Sequence, residues 1–156
     1  MSPRAAWRLE SLGFSDVYHY AAGKADWAAY GLPIEGEGTK VRRIGDLART
    51  DVSICGLDDT VATARDRAGS WRTCFVVNSE GILLGRMYGA DLDGPAGARV
   101  GDIMSPGPST FRPHVSLTEM LEYMGRDDLR TAPVTTPDGR LVGLVIREDL
   151  ERVSGQ

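Results

Sequence analysis

A chain of 156 residues is the size of one ordinary domain or slightly more. With 42% hydrophobic and 26% charged residues it has the make-up of a globular protein, not of a disordered or collagen-like one. The net charge of −4, and the absence of any apolar run near the ~20 residues a membrane span needs, argue against a nucleic-acid or membrane surface. Sixteen of the 18 basic residues are Arg, which either reflects genomic base composition or serves bidentate phosphate and carboxylate contacts. Cys55 and Cys74 sit in apolar runs without Cys-x-x-Cys spacing, so no zinc site is expected. They read as buried thiols of a reducing compartment, with a disulfide left open. His19 and His114 have no nucleophile motif near them, so no catalytic residue and no metal ligand is assigned. Met1-Ser2-Pro3-Arg4 shows no signal-peptide pattern, and a cytoplasmic location is expected.

In chain order, residues 1–38 come first and have no counterpart later on. Ala5–Leu12 reads as a helix that Gly13 ends. Asp16–Tyr20 reads as a strand, and Gly23–Tyr30 as a short helix closed by Gly31 with Pro33 beyond. This helix-strand-helix segment holds Trp7, Phe14, Tyr18, Tyr20, Trp27 and Tyr30, six of the chain's 11 aromatics. A piece this short cannot bury a core of its own. Left in water, the rings would form a large apolar patch, so the segment is expected to pack on the rest of the chain or on a partner subunit. Glu35–Gly38 reads as a flexible joint.

Thr50–Cys55 then reads as a strand, followed by a helix with Val61, Ala64 and Ala68 on its apolar face and Asp58 or Asp59 as its cap. Cys74–Val77 and Ile82–Leu84 read as two strands around the turn Asn78-Ser79-Glu80-Gly81. A last helix begins near Asp91 and is cut short by Asp93-Gly94-Pro95, and Ala96–Arg99 reads as a linker. The same elements then return. Ser109–Phe111 reads as a strand, and Leu117, Met120, Leu121 and Met124 share one helical face with Ser116 and Glu119 as a capping box. Pro133–Thr135 and Leu141–Ile146 flank Thr136-Pro137-Asp138-Gly139, where Pro presets φ, Asp bonds locally and Gly accepts positive φ. A last helix begins near Glu148.

The return is a duplication. Ile44-Gly45-Asp46-Leu47 reappears 56 positions on as Val100-Gly101-Asp102-Ile103. The same shift pairs Ser53 with Ser109 and Val61 with Leu117. Beyond an insertion near Arg126-Asp127-Asp128 the shift becomes 58, pairing Arg72-Thr73 with Arg130-Thr131, Gly85 with Gly143, and Asp91-Leu92 with Asp149-Leu150. The chain divides into the segment 1–38, a first repeat 39–94 and a second repeat 95–156. Each repeat runs β-α-β-β-α, giving a mixed α/β (α+β) fold.

These repeats resemble a tandem of CBS domains, the pair called a Bateman module. The likeness rests on Gly45-Asp46-Leu47 and Gly101-Asp102-Ile103-Met104, on Leu57-Asp58-Asp59-Thr60-Val61, and on Thr131-Ala132-Pro133-Val134. It is clearest in Gly143-Leu144-Val145-Ile146-Arg147-Glu148-Asp149-Leu150. It covers residues 40–153, about three-quarters of the chain. The resemblance implies repeats packed with pseudo-twofold symmetry and a cleft on each side. It implies a regulatory, non-catalytic module that binds an adenosine-containing ligand, AMP, ADP, ATP or S-adenosylmethionine, and that forms a homodimer. The implied partners are that small-molecule nucleotide and a regulated protein of unknown identity. The alternative is a structural dimerisation or interaction module that has lost its ligand.

In the family pattern G-h-h-[T/S]-x-x-D, the Asp takes ribose hydroxyls and the Thr or Ser helps hold phosphate. This chain keeps Asp91 and Asp149 but has Tyr88 and Ile146 at the hydroxyl position. Arg147 follows Ile146 and offers a guanidinium to a phosphate. The adenine side matches Thr131, Ala132 and Pro133 in the second repeat and Thr73, Cys74 and Phe75 in the first. Ser109 and Ser53 match the ribose side. The resemblance favours the site that uses Asp149. Each assignment has a structural alternative: a helix cap for Asp91 and Asp149, a solvated helix face for Arg147, a strand-end turn for Ser53 and Ser109.

The amino-terminal segment resembles the end of a rhodanese domain. The residues are Ala5-Ala6-Trp7-Arg8-Leu9 with Leu12-Gly13-Phe14, then Val17-Tyr18, Gly23-Lys24-Ala25-Asp26-Trp27 and Gly31-Leu32-Pro33. Neither cysteine of the chain matches the sulfur-carrying Cys of that family, so no sulfurtransferase activity is expected.

Overall fold

The computed structural model describes residues 3–36 and 41–155. The joint read at Glu35–Gly38 falls partly, and the boundary between residues 38 and 39 wholly, outside them. Helix α1 (Pro3–Ser11) ends at Gly13, whose φ of 93° takes the left-handed turn the sequence requires. Helix α2 (Gly23–Ala29) closes through Gly31 at φ 70°. The strand expected at Asp16–Tyr20 is not formed: the stretch is irregular, because no neighbouring strand offers its backbone a ladder. Tyr20 instead packs edge-on against Trp27 at 5.3 Å and donates to the Asp26 carboxylate, and Trp27 Nε1 donates to Pro33 O at 2.8 Å. Gly31 and the residues after it reach Pro113 of the second repeat. Trp7 at 66%, Phe14 at 60% and Tyr18 at 82% exposed stay in water, so the expected packing on the rest of the chain does not hold for these three rings.

The first repeat comprises α3 (Ile44–Leu47), β1 (Ile54–Cys55), α4 (Val61–Ala68), β2 (Cys74–Val77), β3 (Leu83–Met87) and α5 (Gly89–Leu92). The second comprises α6 (Val100–Ile103), β4 (Ser105–Pro106), α7 (Leu117–Arg126), β5 (Thr131–Thr135), β6 (Leu141–Ile146) and α8 (Arg147–Ser154). The strand expected from Thr50 shortens to β1, and the one at Ser109–Phe111 shrinks to a single parallel bridge between Phe111 and Val134. Pro108 and Pro113 around it lack the N–H a longer ladder would need. The caps also differ at one end. Ser116 and Glu119 form the expected capping box on α7, but α4 is capped by Thr60, whose hydroxyl accepts from Thr63 N. Asp59 is occupied instead by Gly56 N at 2.8 Å and Arg67 at 2.6 Å, and Asp58 by Arg99.

Each lead-in segment crosses to the other repeat. After α6, β4 pairs with β3 of the first repeat, completing the sheet β1-β2-β3-β4. After α3, Arg49 pairs with Leu144 in β6 of the second repeat. Val100 accordingly lies in the first core with Cys55, Val61, Ala64, Cys74, Val76 and Met87. Ile44 lies in the second core with Leu117, Met120, Met124, Val134, Val145 and Leu150. The crossing is reciprocal at atomic detail. Val61 N donates to Ala98 O and Leu117 N to Arg42 O; Leu83 N donates to Gly139 O and Leu141 N to Gly81 O. These matched pairs show the pseudo-twofold relation of two β-α-β-β-α repeats, each dependent on the other for part of its core.

Candidate functional site

Strand β5 carries Thr131, Ala132 and Pro133 to a cleft between the repeats. Phe111 N donates to Pro133 O at 3.0 Å, which places the Pro133 carbonyl on the side of β5 away from β6. Backbone direction alternates along a strand, so the Thr131 amide and carbonyl point to that same side. Pro133, lacking an N–H, is suited to a position whose amide would face this edge. The cavity here measures about 390 Å³. Its walls include Ser109, Phe111, Leu129 and Thr131–Pro133 with the charged Asp128 and Arg130 from the second repeat, and Arg86 and Tyr88 from the first. Four of the residues expected from sequence, Ser109, Thr131, Ala132 and Pro133, are thus brought together.

The other expected residues lie elsewhere. Asp149, at the start of α8, is held by Arg49 at 2.7 Å on Oδ2 and by Arg152 at 3.2 Å on Oδ1, so both carboxylate oxygens are engaged. The Arg49 guanidinium also lies 5.7 Å over the Trp71 ring. Asp91 accepts from Tyr88 N at 2.8 Å and so caps α5. Arg147 pairs with Glu151 one turn on, at 2.8 Å. Ile146 is the cap residue of α8 and pairs with Thr131 across the sheet. Ser53 Oγ donates to Arg67 O at 2.6 Å. Cys74 is buried in the first core, where hydrogen bonding to Cys55 and burial push its thiol well above the usual range. Thr73, also buried, donates to Met87 O at 2.9 Å.

Arg86 and Tyr88 are the first-repeat wall residues that sequence reasoning missed, and Phe111 and Leu129 join them from the second. Arg86 is only 8% exposed. Its Nε donates to Thr73 Oγ1 at 2.8 Å and its Nη2 to Thr131 Oγ1 at 3.0 Å, bridging two threonines that are equivalent in the two repeats. The guanidinium lies 5.1 Å from the Phe75 ring and 4.8 Å from that of Tyr88. Burial lowers its pKa from the ordinary value, the Tyr88 phenol opposing this, and no carboxylate pairs with it among the described residues. The family pattern has an apolar residue where Arg86 stands, so pattern matching passes over it. The available signal was an Arg inside an otherwise apolar strand, Leu83-Leu84-Gly85-Arg86-Met87. Tyr88, at the position read as a lost hydroxyl, faces the cavity with a phenol of its own.

Comparison with known proteins agrees with this architecture. Residues 100–155 match the CBS domain family. No curated protein matches the chain. Among solved structures, the chain is similar to the cytosolic domain of the Mg2+ channel MgtE in complex with ATP, with 25% identity, a TM-score of 0.63, and coverage of 74% of this chain and 51% of that one. It is similar to CBSX2 in complex with AMP, with 21% identity, a TM-score of 0.63, and coverage of 74% and 97%. It is also similar to the CBS domains of a transcriptional regulator from Streptococcus pneumoniae, with 20% identity, a TM-score of 0.63, and coverage of 70% and 97%. The chain thus spans about half the length of the MgtE domain. The fold is that of a CBS pair. The rhodanese-like reading of residues 1–38 gains no support from these matches.

Proposed function

We propose that the chain is a non-catalytic regulatory module that takes an adenosine-containing ligand, AMP, ADP, ATP or S-adenosylmethionine, between its two repeats. The observation that carries this reading is the cavity of about 390 Å³ with walls from both repeats. Small-molecule sites span ~300–1,000 Å³, so a nucleotide is of suitable size. Phe111, Leu129 and Pro133 offer apolar surface to a purine, and the Thr131 backbone offers a donor and an acceptor to its edge. A ligand held there touches both halves, and ligand control requires that the two states of the pair bind it differently. The ATP and AMP complexes of similar folds support the ligand class.

Thermal unfolding with each of the four ligands tests the proposal. A ligand at ~100 times its Kd is expected to add ~2.7 kcal/mol. No shift with any of them would favour the second reading, a structural homodimer or interaction module. Two observations speak for that one: Asp91 and Asp149 are satisfied within the chain, and the aromatic amino-terminal surface is exposed.

A further inference from the structure

We propose that Arg86 makes the cleft selective for a phosphate-bearing ligand, so that the chain takes one adenosine phosphate and discriminates against the neutral nucleoside. The inference rests on the reading that this cleft holds an adenosine ligand. Arg86 is nine-tenths buried and lines the cavity. Its guanidinium gives Nε to Thr73 and Nη2 to Thr131 with the Tyr88 phenol alongside, and among the described residues no carboxylate pairs with it. A buried cation costs free energy unless an opposite charge accompanies it. Two hydroxyls and two ring faces hold Arg86 in position but leave its charge uncompensated. The other charged residues on the cavity wall, Asp128 and Arg130, are exposed to solvent, and the ion pair Asp128 makes is with Arg147, not with Arg86. A phosphate is an oxyanion that a guanidinium contacts through parallel hydrogen bonds.

The second cleft has no such group. The residue equivalent to Arg86 is Leu144, fully buried, and the Asp149 carboxylate there is closed off by Arg49 and Arg152. The duplicated chain is therefore asymmetric in charge, with one cationic cleft and one that satisfies itself.

Titration calorimetry with AMP and with adenosine, on the full chain and on R86L and D149A, tests this. The wild type is expected to bind one AMP per chain, about 10- to 100-fold tighter than adenosine, the range a charge-assisted hydrogen bond supplies. R86L, which installs the side chain found at position 144, is expected to abolish the preference for AMP over adenosine. D149A is expected to leave AMP binding as it is. Equal affinity of the wild type for AMP and adenosine overturns the proposal without reference to any variant, while leaving the adenosine reading standing. A preference that survives R86L, a second AMP per chain, or loss of AMP in D149A overturns it as well. No binding of either ligand overturns both the proposal and the reading beneath it.

Discussion

A Cβ at Gly143 would sit 2.3 Å from the Arg49 carbonyl oxygen, and one at Gly85 3.0 Å from that of Ser105. These glycines open the family-like motif in each repeat, and their bare backbone is what lets the crossing segment approach the sheet. Gly143→Ala is expected to cost ~1–3 kcal/mol by overpacking, read as a fall in the denaturation midpoint. An unchanged midpoint would mean the Arg49 segment moves aside freely. At the start of α7, the Ser116 hydroxyl and amide hold the Glu119 carboxyl below its ordinary pKa. A carboxyl with a lowered folded pKa contributes stability above its unfolded pKa and loses it as pH falls through the folded value. The capping box is therefore expected to weaken only in acid, and Ser116→Ala to raise the Glu119 titration midpoint, as followed by NMR. A midpoint that stays put would show that the box does not hold the carboxylate. The capping box is legible in sequence because it is local, whereas the close approach at Gly143 and Gly85 comes from segments distant in the chain. Arg86 is not legible either: its role depends on Thr73 and Thr131, which duplication makes equivalent but which only the packing of the two sheets brings to one guanidinium.

At the scale of elements, the helices and hairpins follow from periodicity and turn residues, and the short strands do not. Leu117, Met120 and Met124 are buried as their spacing predicts, and β5 and β6 flank the Pro-Asp-Gly turn. The strand read at Asp16–Tyr20 is absent, because β-propensity without a partner strand gives no ladder. The cap of α4 shifted from Asp58 or Asp59 to Thr60 because Arg99 and Arg67 compete for the two carboxylates. The amino-terminal helices leave most of their rings exposed. Removing residues 1–22 from an isolated chain is accordingly expected to change the melting temperature by no more than about 4 °C, equivalent to ~1 kcal/mol at this size. A larger fall, or a drop in mass from dimer to monomer, would show that a partner subunit covers those rings.

For the whole molecule, the duplication read at shifts of 56 and 58 becomes a set of exchanged hydrogen bonds, such as Leu83 to Gly139 and Leu141 to Gly81. The crossing of α3 and α6 into each other's cores has no mark in the sequence, since Ile44 and Val100 look alike wherever they pack. The differences between the repeats make the two sides unequal: Arg86 against Leu144, and Tyr88 against Ile146. The measurement that bears most directly on this is amide NMR of the full chain titrated with AMP. Shifts centred on Tyr88, Ser109, Thr131 and Ala132 are the expected result. Shifts centred on Thr73, Cys74 and Asp149, or none at all, would contradict it.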